Sequence, residues 1–299
     1  MASIKEVTWA ITGAAGQLGK SLSRLLDDSG NSYVAWGRND LDITQKAAIE
    51  LIEAVRPGIL VNCAAWTNVD GAEEHFEDAL KINKEGAQNC AIAAKELLIP
   101  LFHISTDYVF SGSKKTPWNA QDETNPASKY GLSKLMGEQS ISHLYPDGVR
   151  IFRTAWLYGP FGRNFAKTII KKALSTKDEI KVVHDQKGQP TSTFDLASQL
   201  IKSKQSSIAA GIYHATNSGE ATWWEFATEL VRLSGENVDR VIPVSSSEFA
   251  RKVKRPEYSV LDHSQWESSG VAAMRNWKEA LQEIYPQIHN AVERELING

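Results

Sequence analysis

Apolar and polar positions divide the first hundred residues into alternating strands and helices. An apolar run, Val7 to Ile11, precedes a segment, Gln17 to Leu26, whose Leu18, Leu22, Leu25 and Leu26 recur at helical spacing. Ser32 to Gly37 predicts a second strand. Ala47, Ala48, Leu51, Ile52 and Val55 predict a helix with Thr44 as N-cap, ended by Pro57-Gly58. Ile59 to Ala65 is a continuous apolar strand, the form expected in a parallel sheet covered on both faces. A polar loop, Thr67 to Glu74, leads to a helix from Ala79 to Leu98 that Pro100 stops, and Leu101 to Ser105 is the fourth strand. This alternation predicts an α/β chain with a doubly wound parallel sheet. The second half is less regular. It predicts a strand at Phe152 to Leu157 and helices at Phe165 to Leu174, Leu196 to Ile201 and Trp223 to Leu233. A last helix, Gln282 to Leu296, should be interrupted near Pro286.

A chain of 299 residues holds one large unit or two lobes, and 42% hydrophobic with 23% charged residues is ordinary for a soluble protein. A net charge of −3 gives no footprint for nucleic acid. The one basic cluster, Arg251-Lys252-Val253-Lys254-Arg255, is either a solvated loop or a phosphate clamp. Cys63 and Cys90 stand among apolar or small residues and read as buried free thiols in a reducing compartment. The opening M-A-S-I-K-E has no long apolar run, and no segment has membrane-spanning length, so a cytoplasmic protein is expected.

Candidate chemistry begins between the first strand and helix, where Gly13, Gly16 and Gly19 stand three apart. A turn without Cβ atoms lets a pyrophosphate approach the backbone, and the helix start offers free N–H groups and a positive dipole end. Such turns also simply join strand to helix, but the flanking elements favour a dinucleotide. At the end of the second strand an NAD-type site carries a carboxylate. Here stands Gly37-Arg38-Asn39-Asp40. Arg38 is either an exposed loop residue or the partner of a 2′-phosphate, which favours NADPH, while Asp40 and Asp42 keep NADH open. Ser105 and Thr106 end the fourth strand, where ligands of such sheets bind. Tyr130 and Lys134 are four apart and share a helix face; of eight tyrosines only Tyr130 has this neighbour. A nearby ammonium lowers a tyrosine pKa and suits it to exchange a proton with a substrate oxygen.

T-G-A-A-G-Q-L-G at Thr12 to Gly19, S-T-D-Y-V-F at Ser105 to Phe110 and Y-G-L-S-K at Tyr130 to Lys134 resemble the extended short-chain dehydrogenase/reductases. The chain is most similar to their dTDP-4-dehydrorhamnose reductase branch. The stretches that carry this are Asn62 to Glu73, F-R-T-A-W-L-Y-G at Phe152 to Gly159, N-F-A-K-T at Asn164 to Thr168, V-H-D-Q-K-G-Q-P-T at Val183 to Thr191 and R-P-E-Y-S-V-L-D at Arg255 to Asp262. The resemblance implies a Rossmann-like dinucleotide-binding domain over residues 1–150. Residues 151–299 would form mainly a smaller substrate lobe, with segments at about 190–217 returning to the first domain. It implies reduction of the C4 keto group of a nucleotide-sugar, dTDP-4-dehydro-L-rhamnose to dTDP-L-rhamnose, by NADPH or NADH. Thr106 would bind the C4 oxygen, Tyr130 would protonate it, and Lys134 would hold the nicotinamide ribose and tune Tyr130. Gln17, Leu18, Asp42, Ile43, Ala64, Ala65 and Trp66 match cofactor contacts, although relatives often have Tyr or His at the place of Trp66. Thr106, Asp107 and Trp156 match the substrate side, and Trp156 reads equally as a core or interface residue. Some members bind Mg²⁺ at a dimer interface through glutamates. No matched set is seen, so no metal is expected, and a homodimer stays open.

The neighbouring activities leave different marks. Dehydratases of this superfamily place Asp-Glu after the threonine, whereas Asp107-Tyr108 follows Thr106 here. A 4-epimerase is not excluded by the core motif. A non-catalytic regulator similar to the methionine adenosyltransferase beta subunit is the alternative from another class. Trp223 and Trp224 suit core packing, or stacking on a base.

Overall fold

The computed structural model describes residues 9–249 and 253–298; Val7 of the first strand and Arg251 and Lys252 of the basic cluster lie outside them. The first half runs β1 (Trp9–Thr12), α1 (Gln17–Asp28), β2 (Tyr33–Trp36), α2 (Ala47–Val55), β3 (Leu60–Asn62), α3 (Val69–Glu74), α4 (Phe76–Leu80), α5 (Ala87–Glu96), β4 (Leu101–Thr106), α6 (Lys129–Leu144) and β5 (Val149–Thr154). The second half continues with β6 (Leu157–Tyr158), α7 (Phe165–Ser175), β7 (Ile180–Val183), β8 (Lys187–Gly188), β9 (Thr191–Ser192), α8 (Thr193–Gln205), β10 (Gly211–His214), β11 (Ala221–Thr222), α9 (Trp223–Leu233), β12 (Val241–Val244) and α10 (Trp277–Asn298).

Six strands form one parallel sheet in the order β2-β1-β3-β4-β5-β10. The order reverses at β1, with β2 on one side and β3 on the other. A crevice opens at such a reversal, beyond the carboxyl ends of the strands. Registry there sets Thr12 beside Asn62, and Thr106 beside Thr154. Leu22 and Leu26 of α1 with Leu196 and Leu200 of α8 cover one face. Ile52, Ala91, Ala94 and Ile141 from α2, α5 and α6 cover the other. A second core joins α7, α9 and α10 to the parallel pair β7–β12, around Phe226, Leu230, Leu281 and Ile288.

Several elements differ from expectation, each for a local reason. Thr44 does not cap α2, because its N–H and hydroxyl both bond Asp42 Oδ1, at 3.0 and 2.8 Å. The expected polar loop contains α3, capped by Asn68, whose Oδ1 accepts from Gly71 N. The long helix expected from Ala79 is α4 and α5 joined by a π-helical stretch, Lys81–Gly86. That wider turn lets Asn83 reach the Trp66 backbone and Ser133 of α6. The strand expected through Leu157 breaks at Trp156, whose φ is 47°. Helix α10 runs through Pro286 without interruption, because Ile284, Tyr285, Ile288 and Val292 on both sides of it are buried in one core. No helix of the described residues is long and apolar enough to cross a membrane.

Gly137 of α6 packs on the Asn83 carbonyl so closely that a Cβ would overlap its oxygen. We expect Gly137→Ala to destabilise the fold by about 1–3 kcal/mol, as overpacking does. Urea unfolding measures this, and an unchanged midpoint would mean that α6 shifts freely.

Candidate active site

The glycine turn is built against the next strand. Gly13 has φ +67°, and a Cβ there would lie 2.5 Å from Ala64 N, so the turn rests directly on the chain leaving β3. Gly16 caps α1 with extended backbone and no side-chain hydrogen bond, which leaves the first N–H groups of the helix to a ligand. Beneath the turn, Thr12 Oγ1 and Ala64 N both donate to Asn62 Oδ1, at 2.7 and 3.1 Å.

Thr106, at the end of β4, accepts from Tyr108 N at 3.2 Å and donates to Asp107 Oδ1 at 3.0 Å. Helix α6 starts beside it, capped by Ser128, whose hydroxyl accepts from Gly131 N at 3.1 Å. Tyr130, Lys134 and Glu138 then follow on one face, one turn apart. Glu138 is clamped by Arg153 of β5 through Nε at 3.0 Å and Nη2 at 2.7 Å, and also accepts from the Ser105 hydroxyl. Side-chain exposure of this pair is 2% for Arg153 and 3% for Glu138. Lys134 Nζ donates to the Ile104 carbonyl at 2.6 Å and lies 3.3 Å from His103 Nε2.

Burial dominates the protonation of Tyr130, Lys134 and Asp107. It pushes the Tyr130 phenol up to about 12, with the Asp107 charge adding and the Thr106 hydroxyl opposing. It pushes Lys134 down to about 8 and Asp107 up to about 6, against hydrogen bonding from Ser259 and Thr106. The lowered tyrosine pKa expected from Lys134 is therefore not found: the ammonium is engaged by β4, and desolvation of the phenol prevails.

One cleft of about 720 Å³ gathers Gly13, Gly16, Gln17, Leu18, Gly19, Arg38, Ile43, Ala64 and Ala65 with Thr106, Asp107, Tyr130, Lys134 and Trp156. Asp42 and Trp66 do not line it. Asp42 turns to Thr44, whose N–H is the largest cause of its lowered pKa. Trp66 is held in its own loop, with Nε1 donating to Asn68 O and its N–H to Asn83. Two lining residues that sequence reasoning missed are Thr154 and Arg163. Thr154 Oγ1 and Asp107 Oδ2 are buried without a hydrogen-bond partner, which leaves both able to meet a polar ligand. Thr154 lies in the F-R-T-A-W stretch and Arg163 directly precedes N-F-A-K-T, so both were within reach. Asn164 Nδ2 donates to Gln17 Oε1 at 3.0 Å, tying the second half of the chain to the glycine turn. Among the described residues no cluster of His, Cys, Asp or Glu is arranged to hold a metal ion. Arg255 of the basic cluster pairs with Asp70 at 2.8 Å, and Lys254 pairs with Glu257. With Tyr108, Lys181, Trp223 and Phe249, Arg255 lines a second cavity of about 350 Å³.

A family model described as RmlD substrate binding domain matches residues 8–290. The chain is 44% identical over 285 residues to a dTDP-4-dehydrorhamnose reductase of Streptomyces griseus, covering 94% of this chain and 93% of that one. It is 40% identical over 282 residues to a dTDP-4-keto-6-deoxy-D-glucose reductase of Streptomyces niveus, covering 94% and 97%. The crystal structure of dTDP-4-dehydrorhamnose reductase from Bacillus anthracis in complex with NADP matches with a TM-score of 0.90 at 37% identity, over 94% of this chain and 99% of that one.

The Glu138–Arg153 clamp has a measurable signature. Glu138→Ala leaves a buried guanidinium unpaired and should cost about 3–5 kcal/mol in urea unfolding, whereas replacing both residues by apolar ones of similar size recovers most of it. Equal loss in the single and double variants would show that the pair itself is not the source.

Proposed function

We propose that this chain, which belongs to the RmlD substrate binding domain family, reduces the C4 keto group of dTDP-4-dehydro-L-rhamnose to dTDP-L-rhamnose with NADPH. The observation that carries this is the convergence of Thr106, Tyr130 and Lys134 on the cleft that begins at the glycine turn. The residues fit the cofactor. Gly13, Gly16 and the free N–H groups of α1 suit the pyrophosphate, Arg38 the 2′-phosphate, and Lys134 the nicotinamide ribose. Leu18, Ile43, Ala64 and Ala65 supply apolar walls. When bound, NADPH supplies a hydride to C4.

The chain's own residues handle the oxygen. As the C4 carbonyl electrons move onto it, the alkoxide needs a proton. Tyr130, held protonated by burial at neutral pH, is an acid strong enough for an alkoxide and gives up its phenolic proton. The Thr106 hydroxyl turns from Asp107 to the same oxygen and stabilises the developing charge. The phenolate regains its proton from solvent, and Lys134, held on the Ile104 carbonyl, is left to the nicotinamide ribose. Asp107 Oδ2 and Thr154 Oγ1 are free for sugar hydroxyls, and the Trp156 indole faces the sugar ring. The second cavity suits the nucleoside diphosphate. Arg255 donates to Asp70 through Nη2 while its buried Nη1 has no partner, and Lys181 adds a second cation. In this reading residues 1–150 bind the cofactor and residues 151–299 mainly the substrate, with the segment at about 190–217 returning to the first domain; support comes from α8 packing on α1 and β10 pairing with β5. Two free thiols, Cys63 and Cys90, agree with a cytoplasmic setting.

NADPH turnover with the purified protein and dTDP-4-dehydro-L-rhamnose tests this. Tyr130→Phe should keep NADPH affinity and lose roughly 10²–10⁴-fold in turnover. Lys134→Ala should lose both, and Thr106→Val turnover alone. Arg38→Ala should narrow the preference for NADPH over NADH by about 1–3 kcal/mol. Near wild-type turnover by Tyr130→Phe would refute the assignment.

A further inference from the structure

The V-H-D-Q-K-G-Q-P-T segment at Val183 to Thr191 gives no group to the chemistry above, yet it meets the cleft through Trp156. Trp156 has a left-handed backbone, φ 47°, where the chain leaves β5 for β6. A non-glycine residue holds that conformation only when its surroundings over-determine it. Three contacts do so. The Trp156 carbonyl accepts from Thr191 N at 3.1 Å. Its ring lies flat on that of Trp223, centroids 3.5 Å apart and planes 9° from parallel. Gly188 lies against the same indole, where a Cβ would come within 2.6 Å of Cε2. The last two contacts are built together, because β8 pairs with β11, setting Ala221 opposite Gly188, and Trp223 begins the helix that follows. Trp223 is itself packed on Phe165 of the second core, centroids 4.6 Å apart. The two indoles face different spaces: Trp156 lines the cleft of Tyr130, and Trp223 lines the second cavity.

We infer that Gly188 and Trp223 are positioning residues that fix the Trp156 indole as the wall between the sugar and nucleotide compartments. The inference rests on the reaction proposed above. Gly188 is required because any side chain would occupy the place of the ring, and Trp223 because its flat face sets the ring's tilt. Gly188 acts through the ring alone, whereas Trp223 also lines the nucleotide cavity, and neither lines the cofactor cleft.

Two stacked indoles give an exciton couplet in circular dichroism, read without substrate. Trp223→Leu should lose the couplet and, with the sugar misplaced, lower kcat/KM for the keto sugar by roughly 10–10²-fold, while NADPH affinity is unchanged. Trp223→Phe should also lose the couplet but recover most of kcat/KM, since a flat ring remains. Gly188→Ala should alter the couplet and lower kcat/KM, again with NADPH affinity kept. Wild-type kcat/KM in Trp223→Leu, no rescue by Trp223→Phe, or loss of NADPH affinity in step with activity would each overturn the inference. Failure of the wild type to consume NADPH with this sugar would sink the reaction instead, and the couplet would still report the stack.

Discussion

Two opposite charges withdrawn from water hold this site in shape. Glu138 and Arg153 are nearly fully buried, and such a pair is tolerated only where each partner is satisfied. Glu138 takes two guanidinium bonds and the Ser105 hydroxyl. Arg153 also lies over the Phe110 ring, 5.0 Å from its centroid. Because Glu138 sits on α6, Arg153 on β5 and Ser105 on β4, the cluster stops the helix from rolling over the sheet. Tyr130 and Lys134, two turns and one turn before Glu138, inherit that fixed rotation. Their direction into the cleft therefore depends on charges that never meet a ligand.

The same burial sets the proton inventory. Desolvation disfavours every charged form, so it raises the phenol and the Asp107 carboxyl and lowers the Lys134 ammonium. A phenol so raised stays protonated at neutral pH, the state that the proposed proton donation to an alkoxide needs.

Local signals made most of this legible in the sequence. The glycine turn lies between a strand and a helix, and Tyr130 and Lys134 share a face by spacing alone. Glu138 continues that spacing and was readable, but Arg153 is brought to it only by the packing of β5, which no local pattern states. Asp42 and Trp66 were drawn away from the cleft by bonds to near neighbours, Thr44 and Asn68, that compete with any ligand role. The π-helical stretch and the left-handed Trp156 are tertiary outcomes: one opens for Asn83, the other is pinned by Gly188 and Trp223. Propensity argued for plain helix and plain strand at both places, and tertiary contacts prevailed.

Isotope transfer shows whether this cleft directs a hydride to C4 and a proton to the oxygen on it. The protein is incubated with dTDP-4-dehydro-L-rhamnose and NADPH carrying deuterium at both nicotinamide C4 positions, and the product sugar is analysed by NMR. One deuterium per sugar is expected, bound to C4. Product without deuterium at C4, or label at C3 or C5 instead, would contradict it.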